Sequence, residues 1–151
     1  MCIRDREKGR RKLKFELKSL DDTTSIAKKI AEILESGDVV FLEGDLGTGK
    51  TTFVNEIAKI YGTLAKSPTF SLVNLYDGEK RISHIDLYRL ETIDEAYNIG
   101  IEEILDDDTI KFIEWPEILG DEPFDLKLTF KYEDGKRVLY LEGDALKRGD
   151  F

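Results

Sequence analysis

The stretch "VVFLEGDLGTGKTTF", residues 39–53, constrains this chain more than any other. An apolar run enters a turn with three glycines, and a lysine and two threonines leave it. Within it, "GDLGTGKT" from Gly44 to Thr51 fits G-x-x-x-x-G-K-[ST]. The glycines let the backbone turn so that its N–H groups point inward at anionic oxygens. A helix opening near Lys50 adds the positive end of its dipole to the same place. The pattern therefore predicts an α/β fold built around a phosphate cradle. Gly44, Asp45, Leu46, Gly47, Thr48 and Gly49 form the cradle and Lys50 reaches the β- and γ-phosphates. Thr51 offers its hydroxyl to Mg²⁺, and Thr52 completes the stretch.

The flanking segments extend the fold. "LKFELKS", 13–19, alternates as a half-buried strand does. The segment after it places Ile26, Ile30, Ile33 and Leu34 on one helical face. Asp22, Thr23 or Thr24 is expected to cap it, and Gly37 to follow its end. The run 38–44 reads as a strand buried on both faces, and the helix after the loop runs to about Tyr61. Two strand-like runs surround Asp77-Gly78 and two more surround Asp134-Gly135, each dipeptide a hairpin signal. Between them lie an acidic helical stretch interrupted at Gly100 and the apolar strand "TIKFIEW", 109–115, stopped by Pro116. The whole is expected to be a three-layer α/β domain over residues 13–151. Its mixed sheet has a parallel core extended by antiparallel hairpins.

Charge narrows the partners. The net charge is -9, but residues 1–14 hold seven Lys or Arg against two acids, which leaves 16 basic and 30 acidic residues elsewhere. A body of net charge -14 repels a nucleic-acid backbone. Residues 1–12 show neither helical nor strand period and read as a basic leader, disordered or foreign to the native protein. No apolar run approaches the roughly 20 residues of a membrane helix. Cys2 is the lone cysteine, which leaves no internal disulfide and no thiolate-rich zinc cage. A cytoplasmic protein is the expectation.

Phosphoryl chemistry also needs an acid near Mg²⁺, usually at the end of a strand beside the loop strand. Asp86 ends "RISHID" and Glu114 ends "IKFIE". Either can bind the metal or its waters while the other orients the attacking water. Thr69, in "KSPTF", is placed to sense a γ-phosphate and order its segment. Trp115 is expected to be a core or interface aromatic, or to cover the nucleotide site. His84 reads as a structural histidine, because no nucleophile accompanies it.

Four phrases in order, "GDLGTGKTTF", "SPTFSLVNLY", "HIDLYRL" and "IEWPE", make the chain resemble the TsaE family over roughly residues 15–143. Gly100-Ile101-Glu102-Glu103 fits the helix between the last two. The resemblance implies a bacterial Mg²⁺-dependent ATPase in the formation of threonylcarbamoyladenosine on tRNA. It implies work with TsaB and TsaD, and contact with tRNA only through that complex. It implies Thr51 and Glu114 as Mg²⁺ ligands, Lys50 on the phosphates and Asp86 in support of the metal waters or catalysis. It also implies that the start of the first helix, Leu20 to Thr23, and a late hairpin turn at Gly135 close the nucleotide pocket. Thr48 stands where alanine is common in that family's loop.

Three other readings compete. A small-molecule kinase would need an arginine-rich lid over its acceptor, and none is visible. A GTP switch would carry an Asn-Lys-x-Asp base reader, which does not occur. Direct tRNA binding would need exposed aromatics interleaved with Lys and Arg, against the body's charge. No arginine finger is obvious in the chain, so slow hydrolysis by the protein alone is expected.

Overall fold

The computed structural model describes residues 4–5, 12–63 and 72–151, with side chains from residue 12 onward. Eight strands form one mixed sheet in the order β1-β2-β8-β7-β3-β6-β5-β4. These are β1 (Arg4–Asp5), β2 (Lys12–Glu16), β3 (Val39–Glu43), β4 (Val73–Tyr76), β5 (Ile82–Asp86), β6 (Ile110–Glu114), β7 (Leu126–Glu133) and β8 (Lys136–Glu142). The loop strand β3 lies between β6 and β7 and runs parallel to both, and β5 is parallel to β6. The β7–β8 and β4–β5 hairpins then carry the sheet outward by antiparallel pairing. This is the expected architecture. In the leader, Arg4 and Asp5 pair antiparallel with Leu13 and Lys12.

Side chains explain the three layers. Successive residues of β3 point to opposite faces. Val40 and Leu42 meet α1 (Leu20–Ile33) and α2 (Lys50–Ile60) through Ile30, Phe53 and Ile57. Val39 and Phe41 meet Ile85, Ile113 and the short helices α3 (Ile93–Asn98) and α4 (Ile101–Asp106). Both faces are covered, so β3 reads as an apolar run rather than an alternating one, and every residue of β6 is buried, Lys111 included. Among the described residues no helix is long and apolar enough to cross a membrane.

One local expectation is corrected. Ser19, not Asp22, Thr23 or Thr24, caps α1: its hydroxyl accepts from the Asp22 N–H at 3.3 Å. The helix thus begins a turn early, and Asp21 and Asp22 fall in its first turn, where their charge suits the dipole. The Asp77-Gly78 hairpin forms as expected. Residues 77–81 connect its strands, and Gly78 lacks a positive φ. Gly78 is required by contact, since a Cβ there would stand 2.3 Å from the Tyr61 carbonyl oxygen. The Asp134-Gly135 turn does take positive φ at both residues, 52° and 76°, as a two-residue hairpin turn demands.

Candidate functional site at the glycine loop

The parallel strands β3, β6 and β5 end side by side, and their last residues face the loop. Leu42 is opposite Glu114, and Glu114 is opposite Asp86. The two acids named from sequence are therefore neighbours at one edge. The loop leaves β3 at Gly44 (φ 142°), passes Gly47 (φ 79°) and enters α2 through Gly49 (φ 105°). Such angles suit glycine alone. At Gly44 a Cβ would also stand 2.6 Å from the Phe130 carbonyl oxygen on β7, so the loop is pressed against its neighbour strand. Nothing lies within 4 Å of a Cβ at Gly47, which leaves the loop's bend open. Thr48 is buried and donates to the Asp45 carbonyl at 2.7 Å, an internal brace that alanine would not make. The Tyr132 hydroxyl donates to the Gly47 carbonyl at 3.3 Å.

Lys50 is buried, only 4% exposed. Its ammonium donates to the Gly44 carbonyl at 2.5 Å and lies 4.0 Å from the centre of the Trp115 ring. Burial pushes the Lys50 pKa down, and Glu114, Asp86, Glu117 and Asp45 oppose that shift through their charge. Trp115 stacks at 4.9 Å on Tyr88 and holds a left-handed backbone (φ 58°), which is uncommon outside glycine. That conformation turns the chain from β6 into the 3-10 turn Pro116–Leu119 and lays the indole against Lys50. Asp86 accepts from the Tyr88 N–H at 3.0 Å, so one of its oxygens braces its own turn.

A cleft of about 480 Å³ opens between the loop, Trp115, Glu117 and β7 residues Thr129 to Tyr132. That volume lies within the ~300–1,000 Å³ of small-molecule sites. No group of three or more His, Cys, Asp or Glu among the described residues suits a metal ion. Mg²⁺ does not require one, because it takes one or two protein oxygens and completes its shell with phosphate and water. Thr51 at the start of α2 and Glu114 at the end of β6 are hard oxygen donors of that kind. The donor set and the open glycine cradle both fit nucleotide and Mg²⁺.

Lys50, Asp86, Glu114 and Trp115 are thus brought to one place. Leu46 and Thr52 are exposed beside it. Gly135 sits in the β7–β8 turn and Leu20 and Thr23 in the first turn of α1. The chain just before α1 is joined to β8 just after that turn, the Leu17 N–H donating to the Arg137 carbonyl at 2.9 Å. Among the described residues no hydrogen bond ties Leu20 or Thr23 to the loop; Thr23 is buried and Leu20 exposed. Thr69 lies outside the described residues.

Two residues were missed. His84 has an acid as partner: its Nε2 donates to Glu114 Oε2 at 2.6 Å, both side chains being buried. The signal was available in the strand period. Opposite Phe112 in register, His84 is a diagonal same-face neighbour of Glu114. Arg137 on β8 brings a guanidinium nitrogen 3.3 Å from where a Cβ of Gly49 would stand. It is an arginine at the loop supplied by the chain itself, and nothing in the local sequence marks it.

The model of the family described as "Threonylcarbamoyl adenosine biosynthesis protein TsaE" matches residues 17–139. A tRNA threonylcarbamoyladenosine biosynthesis protein TsaE from Rickettsia conorii is 44% identical over 107 residues, 68% of this chain and 61% of that protein. The match thus spans about three fifths of that relative's length. The protein of the same name from Aquifex aeolicus is 39% identical over 123 residues, 78% of this chain and 86% of its own. Among solved structures, YdiB from Bacillus subtilis superposes with a TM-score of 0.71 at 27% identity, over 95% of this chain and 87% of that one.

Proposed function

The chain belongs to the TsaE family, and from that premise we propose that it is a Mg²⁺-dependent ATPase serving threonylcarbamoyladenosine formation on tRNA. It works in the cytoplasm with TsaB and TsaD, and it meets tRNA only through them. The observation that carries this reading is the buried Lys50 ammonium at the mouth of the glycine loop, with Glu114 and Asp86 in adjacent register beside it. A lysine, a loop of inward amides and two strand-end acids are what phosphoryl transfer from a nucleotide to water requires.

The chain's residues divide the work. Loop amides and the N-terminus of α2 bind the phosphate oxygens. Lys50 leaves the Gly44 carbonyl and the Trp115 face to pair with them. Thr51 and Glu114 would hold Mg²⁺, which would supply charge neutralisation for the phosphates. His84 fixes the Glu114 carboxylate in place, and Asp86 orients metal-bound or attacking water. Arg137 faces the loop from β8 beside Gly49 and adds positive charge there. Thr69 senses the γ-phosphate. Hydrolysis resets the assembly with TsaB and TsaD rather than forming the carbamoyl bond.

The test is Mg²⁺-dependent ATP hydrolysis by the full chain, alone and with the TsaB–TsaD pair, with Lys50→Ala as control. Slow turnover alone, strong stimulation by the pair and loss of both in Lys50→Ala are expected. Absence of stimulation, or phosphate transfer to a metabolite, would overturn the reading.

A further inference from the structure

On the sheet face that carries α3 and α4, a cavity of about 210 Å³ opens between those helices and the 3-10 turn that follows Glu114. Ile93, Ile101, Leu105 and Leu119 supply the apolar part of its lining, the larger polar part comes from the acids around them, and Tyr97 stands half exposed at its edge. Glu102, Asp106 and Glu122 rim it. The volume falls below the roughly 300 Å³ floor of small-molecule pockets and suits inserted side chains instead. The segment that builds the groove is strongly acidic, and the basic groups that reach it, Arg81 beside Asp108 and Lys127 over Phe124, come from outside it. Residues 90–126 hold thirteen acids and a single base, Lys111. That lysine is fully buried, donating to the Asp107 carbonyl and paired with its carboxylate at 3.3 Å. No cation of this segment therefore reaches the groove's surface.

We propose that this groove docks an amphipathic helix of a partner protein, one that carries Lys or Arg along the flanks of its apolar face. Apolar side chains set among acids between two short helices accept partner side chains spaced along one amphipathic helical face. The acid rim attracts basic flanks and repels acidic ones, which gives specificity and rate of encounter. A nucleic acid is repelled by the same rim. The body of a second copy, acidic like this one, is disfavoured for the same reason. The groove is also mechanically tied to the glycine-loop site. Leu119 ends the 3-10 turn whose start, Pro116, follows Glu114 and the left-handed Trp115. A helix seated on Leu119 bears on the segment that sets Glu114 and Trp115, and so supplies a route for partner stimulation. The proposal rests on the functional reading only for which proteins supply the helix.

Two arms test it, both on the full chain. In the first, a synthetic helical peptide of leucine and lysine at helical spacing is titrated into ¹⁵N-labelled protein, with a leucine–glutamate peptide as control. Shifts confined to residues 93–106 and 116–122, weakening as salt rises, are expected for the lysine peptide only. Shifts spread over the surface, or equal for both peptides, overturn the proposal. In the second arm, binding to the TsaB–TsaD pair is compared between the native chain, Glu102→Lys/Asp106→Lys/Glu122→Lys, and Leu105→Ser. At least a tenfold loss in both variants, with nucleotide binding unchanged as the sign of intact folding, is expected. Native-strength binding by both variants overturns the proposal while the functional reading stands. If the native chain does not bind the pair, that reading fails and the peptide arm alone decides the groove. Self-association of the native chain that Leu105→Ser abolishes would assign the groove to a second copy and overturn the partner claim.

Discussion

His84 Nε2 donates to Glu114 Oε2 at 2.6 Å across the β5–β6 pair, inside a protein interior that leaves each side chain less than a tenth exposed. The bond holds the acid assigned to Mg²⁺ in one rotamer before any metal arrives. Partners of this kind typically tune metal affinity or activity by 10–100-fold. His84→Ala should therefore raise the Mg²⁺ needed for half-maximal binding of a fluorescent ADP by about 10-fold. His84→Gln, which keeps an N–H donor, should recover part of the loss. An unmoved Mg²⁺ requirement in His84→Ala would reduce the bond to packing.

Lys50 lies against the face of Trp115, the only tryptophan of the chain, so the indole reports on the lysine. Pairing of Lys50 with phosphates removes a cation from that face and should change the tryptophan emission. Lys50→Ala should abolish the nucleotide-dependent change and weaken nucleotide binding by roughly 10–100-fold, the value of a hydrogen bond to a charged group. Emission that responds to nucleotide equally in both proteins would place Lys50 outside the phosphate contact.

Arg137 tests whether the chain supplies its own arginine. Among the described residues its guanidinium pairs with no carboxylate, and it stands beside Gly49 at the entry to α2. If it faces bound phosphate, Arg137→Ala should slow hydrolysis by about 10–100-fold. Arg137→Lys should restore charge without the planar fork and so rescue only in part. Equal turnover in native and Arg137→Ala protein would make the contact structural.

The legible parts of this molecule were those whose cause is local. The loop's glycines, the two-sided burial of β3 and β6 and the positive-φ turn at Asp134-Gly135 each leave a mark within a few residues. Asp77-Gly78 marked its hairpin rightly, but the need for glycine at 78 comes from the Tyr61 carbonyl, seventeen positions away, and was not legible locally. Ser19 was missed because Ser, Asp and Thr all cap well and six of them stand between Lys18 and Ile26, before the apolar face. Arg137 was invisible for a stronger reason, and the strand period of His84 needs the β5–β6 register before it points to Glu114. Each meets the site only through strand register, β5 on β6 and β8 folded back beside the loop, and register is a tertiary property.

Phe53 anchors α2 beneath the loop. It is fully buried and meets Phe130 of β7 edge-on, with ring centres 5.8 Å apart. Phe53→Ala should cost about 3–5 kcal/mol of stability. In a domain of this size that lowers Tm by roughly 6–20 °C. A smaller loss in calorimetry would mean that α2 collapses onto the vacated space.

Asp107 gives the fold a dependence on acid. Burial pushes its pKa up, but hydrogen bonds from the Thr109 hydroxyl and N–H, together with Lys111, outweigh that and leave it below the ordinary 3.8. A depressed carboxylate stabilises the folded state above the unfolded value and loses that contribution as pH falls through the folded one. The window therefore opens near 3.8 and extends downward. Asp107→Asn should lower Tm at pH 7 and leave it nearly unchanged at the acid end, so that the two proteins' melting curves converge as pH falls below 3.8. Since the Asp107 side chain is 38% exposed, solvent screening keeps the effect modest. The buried Lys111 sharpens the test. Asp107→Asn leaves its ammonium with only the Asp107 and Gly37 carbonyls, so a loss larger at pH 7 than at pH 3 identifies the charge pair rather than the turn as the source. A Tm difference that stays constant with pH would assign the contribution of Asp107 to its uncharged hydrogen bonds with Thr109 alone.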